Sequence, residues 1–387
     1  MKYWRGYLVA AILAVITWAF RDFAQTHSKL VDMIYPYVTR MVQNYMAGWS
    51  AGADFCVWQI IIFALAIAFG GLVILMLIFR WSPIQLFGWV LAVMSMIVLL
   101  HTGIFGMNEF AGPLAEDIRL AEAECSDEQL EAAAIYYRDK ANALVEQVEW
   151  NADGTMKLPS LEELSARAEN GFNTLVYKNY FSVFAGSNLA VKELGLASIF
   201  TARGEMGYTA AITGEAAVNM EAPSVMIPFA VCREMCYRRC IASDRDKHFG
   251  AFLACQANEN PEFQYSGYIM AYRYCLNALP KTVAATVDAE ASEQVRSDVD
   301  AWEVFIAPSL KIPEPGLREK LEGYLPKKYR STQEDPMVAE VQIADLLIRW
   351  HYEVVVLPSI TEPEYHFDPY NEKQVDLTGL PHVKKKK

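Results

Sequence analysis

The longest charge-free stretch of the chain constrains its fold more than any other feature. From Phe55 to Phe79 there are 25 residues without a charged side chain. An α-helix rises about 1.5 Å per residue, so about 20 apolar residues are enough to cross the hydrocarbon layer of a bilayer. The stretch therefore predicts a transmembrane helix. A second apolar run, Ile84 to Leu100, follows after a four-residue turn and predicts an antiparallel partner.

A shorter apolar run near the N-terminus, Gly6 to Phe20, is compatible with either a signal-peptide core or a first span. A cleaved signal needs small residues in an A-x-A pattern before the cleavage point, and residues 19–24 lack that pattern. An uncleaved span is therefore favoured. Residues 1–103 are predicted to form a membrane anchor with spans at about 6–20, 55–79 and 84–102.

Charge divides the chain into two parts. Residues 1–103 contain six basic and three acidic residues, a net charge of +3, whereas the remainder carries −15. Lys2, Arg5 and Arg80 favour a cytoplasmic N-terminus, although Arg21, Lys29 and Arg40 in the predicted outer loop oppose it. The expected protein is a multi-pass protein of the cell membrane, with the lipid bilayer as a partner and an extracytoplasmic C-terminal domain.

The acidic part predicts an α-rich domain with one short β element. Ser126 to Gln129 and Ser160 to Glu163 are typical of capping boxes, and further helices are expected at 228–242, 244–257, 262–279, 282–306 and 338–357. The segment from Gly207 to Met220 predicts a short edge strand or hairpin. A proline-rich stretch at 312–316 separates the domain, 104–310, from a C-terminal helical extension and basic tail, 311–387. A pI near 5.1 excludes a general nucleic-acid binder.

The segment IPFAVCREMCYRRCIASDRDKHF, from Ile227 to Phe249, resembles the core of a bacterial family of membrane-anchored proteins similar to zinc peptidases, called domain of unknown function 3810. Members of that family show a segment of the form PFT-x-x-HELAH-x-x-GIA-x-E-x-EANF. Three more stretches are similar to the family: GMNEFAGPLAEDIRL after the last span, TGEAAVN at 213–219 and FQYSGYIMAY at 263–272. The likeness runs from the spans to about Leu279 and implies a mainly α, zincin-like domain.

A zinc peptidase needs two neutral histidines four residues apart on one helix, a third ligand from a neighbouring helix and a glutamate that activates the bound water. The resemblance places Arg233 and Tyr237 at the two histidine positions, Glu234 at the general-base position and Asp246 at the third-ligand position. A guanidinium keeps its proton in proteins, so Arg233 does not bind a metal ion. The resemblance thus implies a scaffold that has lost the zinc expected for its family.

Arg233 is expected to stand in for the lost cation. Without a cation, the carboxylates of Glu234 and Asp246 would lie close together at a partly buried point. A bidentate ion pair between Arg233 and Asp246 would satisfy both of these groups. The alternative is that Arg233 extends from the helix surface into solvent, where arginine side chains usually lie.

Cysteines provide a competing hypothesis for a metal site. Cys232, Cys236 and Cys240 recur at intervals of four residues, one position before the former histidine register. A helix rotated by about 100° would present a cysteine pair to a metal, with His248 or Asp246 completing the ligand set. Such a stripe is more often small buried packing.

Disulfides are a further possibility in an extracytoplasmic domain. Cysteines four residues apart on one helix are poorly oriented to bond each other, so any bridge would have to reach Cys125, Cys255 or Cys275.

Three functions follow from these patterns. The first is a membrane-anchored pseudo-peptidase that acts as a binding or scaffolding module in the cell envelope, with the strand near TGEAAVN holding an extended peptide or another envelope protein by strand addition. The second is an active metallopeptidase with an altered metal site, in which Glu234 is the base and Asp246, a cysteine or His248 supply ligands. The third is a structural subunit of a membrane assembly.

Overall fold

The structure, a computed structural model, describes residues 4–310 and 336–360. The predicted boundary at 312–316 and the basic tail lie outside these residues. The helices and strands are, in chain order, α1 (Arg5–Thr26), α2 (Ser28–Ser50), α3 (Val57–Phe79), α4 (Pro83–Ile104), α5 (Leu114–Asp117), α6 (Asp127–Leu144), α7 (Leu161–Asn173), β1 (Lys192–Glu193), α8 (Ala197–Thr201), β2 (Gly207–Ala210), β3 (Glu215–Val218), α9 (Ile227–Arg238), α10 (Asp244–Gln256), α11 (Pro261–Ala278), α12 (Lys281–Ala289), α13 (Glu293–Ile306), α14 (Pro336–His351) and α15 (Leu357–Ile360).

Three helices are long and apolar enough to cross a membrane: α1, α3 and α4. They confirm the three apolar helices predicted from the sequence, and α1 extends beyond its predicted end at residue 20. Among the described elements, none packs extensively against α3, and α3 has no buried residue. The apolar part of the chain is therefore a tightly packed α1–α4 pair with α3 standing apart from it.

The helices α1 and α4 run in the same direction. Near their N-terminal ends, Gly6 lies so close to Gly88 that a Cβ on Gly6 would be 2.5 Å from the Gly88 carbonyl carbon. Near their C-terminal ends, Arg21 of α1 pairs with Glu109, which follows α4, at 3.1 Å. The segment that follows α1 and the domain that follows α4 consequently lie at the same end of this pair.

The loop expected between the first two apolar helices is instead the 23-residue helix α2. One face of α2 is buried, and its polar side chains have partners there: Gln43 donates to the carbonyl of Ala211 at 2.7 Å, and Ser50 donates to that of Thr213 at 3.4 Å. These long-range partners explain the error, because charge placement alone does not show what a polar helix face will contact.

The predicted hairpin is confirmed, but its TGEAAVN strand is not an edge strand, because a third strand pairs with its other side. Strand β2 pairs antiparallel with β3, with Gly207 opposite Val218 and Ala210 opposite Glu215. The two-residue β1 pairs parallel with the other side of β3, so the strand order is β1-β3-β2 and β2 is an edge strand.

Helices form the core of the domain. Ser126 opens α6 with a complete capping box, as the sequence predicts. At the start of α7 the Ser160 side chain accepts the Glu163 N–H, but the Glu163 side chain pairs with Arg167 instead of completing the predicted box. The predicted helix 282–306 is two helices, α12 and α13. The C-terminal helix α14 packs against α10 and α11, and its Leu346 and Leu347 are fully buried.

Candidate functional site

Helix α9 is the centre of the domain and carries most of the residues singled out from the sequence. Pro228 lies in its first turn, where a proline costs no backbone hydrogen bond, and the helix ends at Arg238 rather than near Ala242. Cys240 has a φ of 71°, which is incompatible with a continuing right-handed helix. Strands β2 and β3 pack against one side of α9, and α10 packs against another.

Glu234 is buried between α9 and β2. The residue is only 2% exposed, and Thr209 donates its hydroxyl to Oε2 at 2.7 Å. The other carboxylate oxygen, Oε1, accepts a hydrogen bond from Arg233. Gly207 leaves the room for this carboxylate, since a Cβ there would lie 2.9 Å from Cγ of Glu234. Glu234 occupies the position that corresponds to a general base, and both of its carboxylate oxygens thus accept hydrogen bonds.

Arg233 is buried rather than extended into solvent, and it links α9 to α10. Besides its pair with Glu234, it donates from Nε to Nε2 of His248 at 3.1 Å and lies 3.8 Å from a carboxylate oxygen of Asp244. The residue is 8% exposed. Its charge is therefore balanced mainly by a buried carboxylate on the same helix.

His248 is neutral, and both of its ring nitrogens have partners. Because Nε2 accepts from Arg233, Nδ1 carries the hydrogen and donates to the carbonyl of Asp244 at 2.6 Å. Burial, followed by the nearby Arg233 and Lys247 cations, lowers the pKa of His248 to about 3. No nitrogen lone pair remains for a metal ion in this arrangement.

The predicted pair between Arg233 and Asp246 is wrong. Asp246 accepts instead from the backbone N–H of Leu114 at 3.2 Å and from Nε of Arg245 at 3.0 Å. Residues two apart on a helix point in nearly opposite directions, so Asp246 cannot share the α9 side of α10 with Asp244 and His248. Asp246 fastens the segment after α4 to the domain.

Tyr237 lies at the end of the site nearest α4. Its ring stacks on Phe105, which follows α4, with 4.5 Å between ring centroids. The ammonium of Lys247 lies 5.2 Å from the centre of the Tyr237 ring and pairs with Asp244. Burial raises the pKa of Tyr237, so its hydroxyl is protonated at neutral pH.

The cysteine stripe is buried packing. Cys232 and Cys236 are fully buried in the main core and Cys240 is 6% exposed in a smaller cluster with Phe105. Burial raises the pKa of Cys236 well above its ordinary value and that of Cys240 to about 12, which keeps these thiols protonated. All seven cysteines are free, so the disulfides considered from the sequence are not formed.

The side chains at this site do not fit a zinc ion. Within residues 4–310 and 336–360, no group of three or more histidine, cysteine, aspartate or glutamate side chains is placed to hold a metal ion. Arg233 fills the position nearest Glu234, His248 has no free nitrogen, and Asp246 faces another element. The chemistry of a zinc peptidase would require different residues at these three places.

Three residues of the site had no signal in the sequence. Thr209 on β2 bonds to Glu234 from 25 residues away, and Asp244 and Lys247 become partners of Arg233 and Tyr237 only through the packing of α10 on α9. The hairpin prediction placed Thr209 on a strand, but not beside Glu234.

Comparison with known proteins finds one family. A family model described as "Protein of unknown function (DUF3810)" matches residues 31–325. The match continues past Leu279, where the resemblance in the sequence motifs ends. No curated protein and no solved structure matches the chain.

Proposed function

The chain belongs to the uncharacterised DUF3810 family, and from that premise we propose that it is a membrane-anchored binding module, a pseudo-peptidase in architecture, that holds an extended polypeptide at strand β2 without hydrolysing it. One observation carries the proposal: β2 is an edge strand that lies directly beside the helix bearing Glu234.

The backbone of β2 is suited to pairing with one more strand. Asn219 donates to the carbonyl of Met206 at 2.9 Å, and hydrogen-bonded pairs alternate along an antiparallel ladder. Tyr208 and Ala210 are therefore bonded to β3, whereas Gly207 and Thr209 direct their N–H and C=O groups away from β3. Both residues are buried, so a pairing strand would have to displace the side chains that cover them. No described backbone group outside the sheet bonds to them. Strand addition uses such groups for affinity and is tolerant of sequence.

The side chains support binding rather than hydrolysis. A general base must accept a proton from the attacking water, but both oxygens of Glu234 already accept hydrogen bonds, one of them from a cation.

The proposal includes a topology. The three apolar helices cross the cell membrane with the N-terminus in the cytoplasm, and the domain is extracytoplasmic. The parallel α1 and α4 put Arg5 and Arg80 at the end remote from the domain, which agrees with the positive-inside rule. Protease added to sealed, right-side-out vesicles should cleave the domain, and protection of the domain would overturn this topology.

A selection experiment tests the binding function. Random 12-residue peptides are selected on the full-length protein in nanodiscs, and their affinities are measured for Thr209→Pro and for the matched control Thr209→Val. Proline removes the outward N–H, whereas valine removes only the hydroxyl. We expect Thr209→Pro to weaken binding about tenfold, the equivalent of about 1.4 kcal/mol, and Thr209→Val to bind nearly as the wild type does.

A second measurement uses the wild-type protein, so its result does not depend on whether the proline variant folds. In the wild-type protein, a bound peptide should slow amide hydrogen exchange at Gly207 and Thr209. Unchanged exchange there, or equal affinities for both variants, would refute pairing at β2. Zinc-dependent cleavage of a selected peptide that is lost in Glu234→Gln would establish the active metallopeptidase instead.

A further inference from the structure

Helix α2 exposes a continuous stripe of large apolar and aromatic side chains. Eight of them are between 42% and 76% exposed. They are Leu30, Met33, Ile34, Tyr37, Val38, Met41, Tyr45 and Trp49. This is far more apolar surface than isolated exposed residues produce, and contiguous patches of this kind mark a surface that is covered in the working protein.

The stripe lies on the side of α2 that faces away from the domain. At about 100° per residue, its members centre roughly opposite the buried face formed by Val31, Thr39, Gln43 and Ala47. The charged residues Lys29, Asp32 and Arg40 all fall on the half of the helix nearer the domain. The exposed half therefore carries no charge, and aromatic rings occupy its C-terminal part.

The ends of α2 fix the direction of its axis. Tyr35 donates to the carbonyls of Thr102 and Gly103, at 3.0 and 2.9 Å, at the end of α4. At the other end, the carbonyls of Ser50 and Phe55 accept from Lys192 immediately before α3 begins. The distance along the helix from Tyr35 to Ser50 is about 22 Å at 1.5 Å per residue. Helix α2 thus spans the space between the ends of two apolar helices instead of running beside them.

The short segments that connect α2 to α1 and α3 keep it close to the ends of those helices. Only His27 separates it from α1, and six residues separate it from α3. If α1 and α3 cross a bilayer, the two ends of α2 are held where those helices leave it. Helix α2 itself is not among the helices apolar enough to cross a membrane.

We propose that α2 is an interfacial helix whose exposed stripe is inserted into the boundary between lipid headgroups and acyl chains, on the domain side of the bilayer. The inference rests on the proposed membrane crossing of α1, α3 and α4. A charge-free apolar face opposite a polar one, with tyrosine and tryptophan at the boundary, is the pattern of helices that lie in the plane of the interface.

The insertion of α2 determines where the peptide site lies. Besides the bond from Gln43 to Ala211, the hairpin turn packs so closely on α2 that a Cβ on Gly214 would be 2.6 Å from the backbone nitrogen of Ala47. The hairpin that contains β2 is thereby held at the bilayer surface. The polypeptides that reach β2 are accordingly segments close to a membrane, such as those adjoining a membrane anchor.

Lipid-borne quenchers test the insertion directly. A fluorescent label is attached to the full-length protein in liposomes, in a Cys125→Ser background, at Tyr45→Cys on the stripe or at Val304→Cys, a site on α13 that is 77% exposed in the wild type. Phospholipids with a nitroxide near the headgroup should quench the label at residue 45 about twofold or more over the label at residue 304. Equal quenching at both positions would overturn the proposal.

Two further fluorescence measurements show which part of the proposal is wrong if the expected quenching is not seen. Protection of the residue 45 label from aqueous iodide without quenching by lipid would show that protein, such as a second copy of this chain, covers the stripe, and this too would overturn the proposal. A label at Leu65→Cys in α3 reports on the membrane crossing itself. Quenching at residue 65 by acyl-chain nitroxides without quenching at residue 45 would refute only the interfacial helix, whereas no quenching at residue 65 would refute the crossing.

Discussion

Arg233 and Glu234 form the buried pair that defines the chemistry of this site. Two adjacent residues on one helix do not usually face each other, but here the long guanidinium reaches the carboxylate while Thr209 binds the second oxygen. The pair is stable because each charge has hydrogen-bonded partners in place of water.

Replacement of Arg233 by alanine should destabilise the domain. Glu234 would remain buried with only the Thr209 hydroxyl as a side-chain partner, and breaking a buried pair from one side costs about 3 kcal/mol. The measurement is thermal and chemical unfolding of the full-length protein in detergent. The double variant Arg233→Ala/Glu234→Gln should recover much of the loss, since no buried charge is left unpaired. An Arg233→Ala melting temperature equal to that of the wild type would contradict the assigned role.

His248 should make the protein less stable in mild acid. Its folded-state pKa is about 3, against an ordinary value of 6.5, because of burial and the Arg233 and Lys247 cations. Between these values the unfolded chain binds a proton that the folded chain does not. Stability is therefore complete above about pH 6.5 and falls as the pH decreases toward 3, by at most about 1.4 kcal/mol per pH unit.

Unfolding measured between about pH 6.5 and pH 4.5 isolates this effect from the titration of Asp244, whose pKa is held below its ordinary value. His248→Gln has no imidazole and should show a flatter pH dependence in that interval. The same slope in wild type and variant would assign the effect to other groups.

At the scale of elements, α1 and α4 depend on glycine at their point of closest approach. Small residues let apolar helices pack closely, where many van der Waals contacts replace contacts with lipid. Gly6 and Gly88 provide this approach, whereas a Cβ on Gly70 of α3 would meet no atom of another element within 4 Å.

Gly6→Val should separate α1 from α4 and lower the melting temperature of the protein in detergent, at a cost of about 1–3 kcal/mol. Gly70→Val is the matched control, because it adds the same side chain to an apolar helix where nothing obstructs it. Equal melting temperatures for the two variants would show that close contact between α1 and α4 does not contribute to stability.

At the scale of the whole molecule, Glu215 connects the apolar helix α3 to the sheet. It is 2% exposed on β3 and accepts from the backbone N–H groups of Val57 and Trp58, at 2.8 and 2.9 Å, at the start of α3. Lys192 on β1 pairs with it at 2.6 Å. A carboxylate at a helix N-terminus satisfies free N–H groups and interacts favourably with the helix dipole.

Glu215→Gln should therefore loosen the junction between domain and anchor. The Lys192 ammonium would lose its charged partner in a buried place, for a loss of about 3 kcal/mol in the free energy of unfolding. Amide exchange at Val57 and Trp58 should become faster. Glu193→Gln, which neutralises the exposed neighbour of Lys192, should have little effect on either quantity. Equal exchange rates in the two variants would show that Glu215 does not hold the start of α3.

Local patterns alone were sufficient for much of the molecule. The charge-free runs predict α3 and α4, Ser126 and Ser160 predict the starts of α6 and α7, and the segment after Gly207 predicts the hairpin. These features depend on hydrophobic length, capping and turn residues, all of which are properties of consecutive residues. The sequence also determined that Arg233 cannot bind a metal ion, since that follows from its chemistry alone.

Tertiary structure decided which polar and charged side chains meet. Arg233 pairs with Glu234 and His248 rather than with Asp246, because the rotation of α10 about its axis determines which of its residues face α9. It likewise decided that residues 28–50 form a helix whose polar face bonds to the hairpin and whose apolar face is left exposed. Both outcomes depend on partners far away in the sequence, and local spacing carries no information about the packing that brings such partners together.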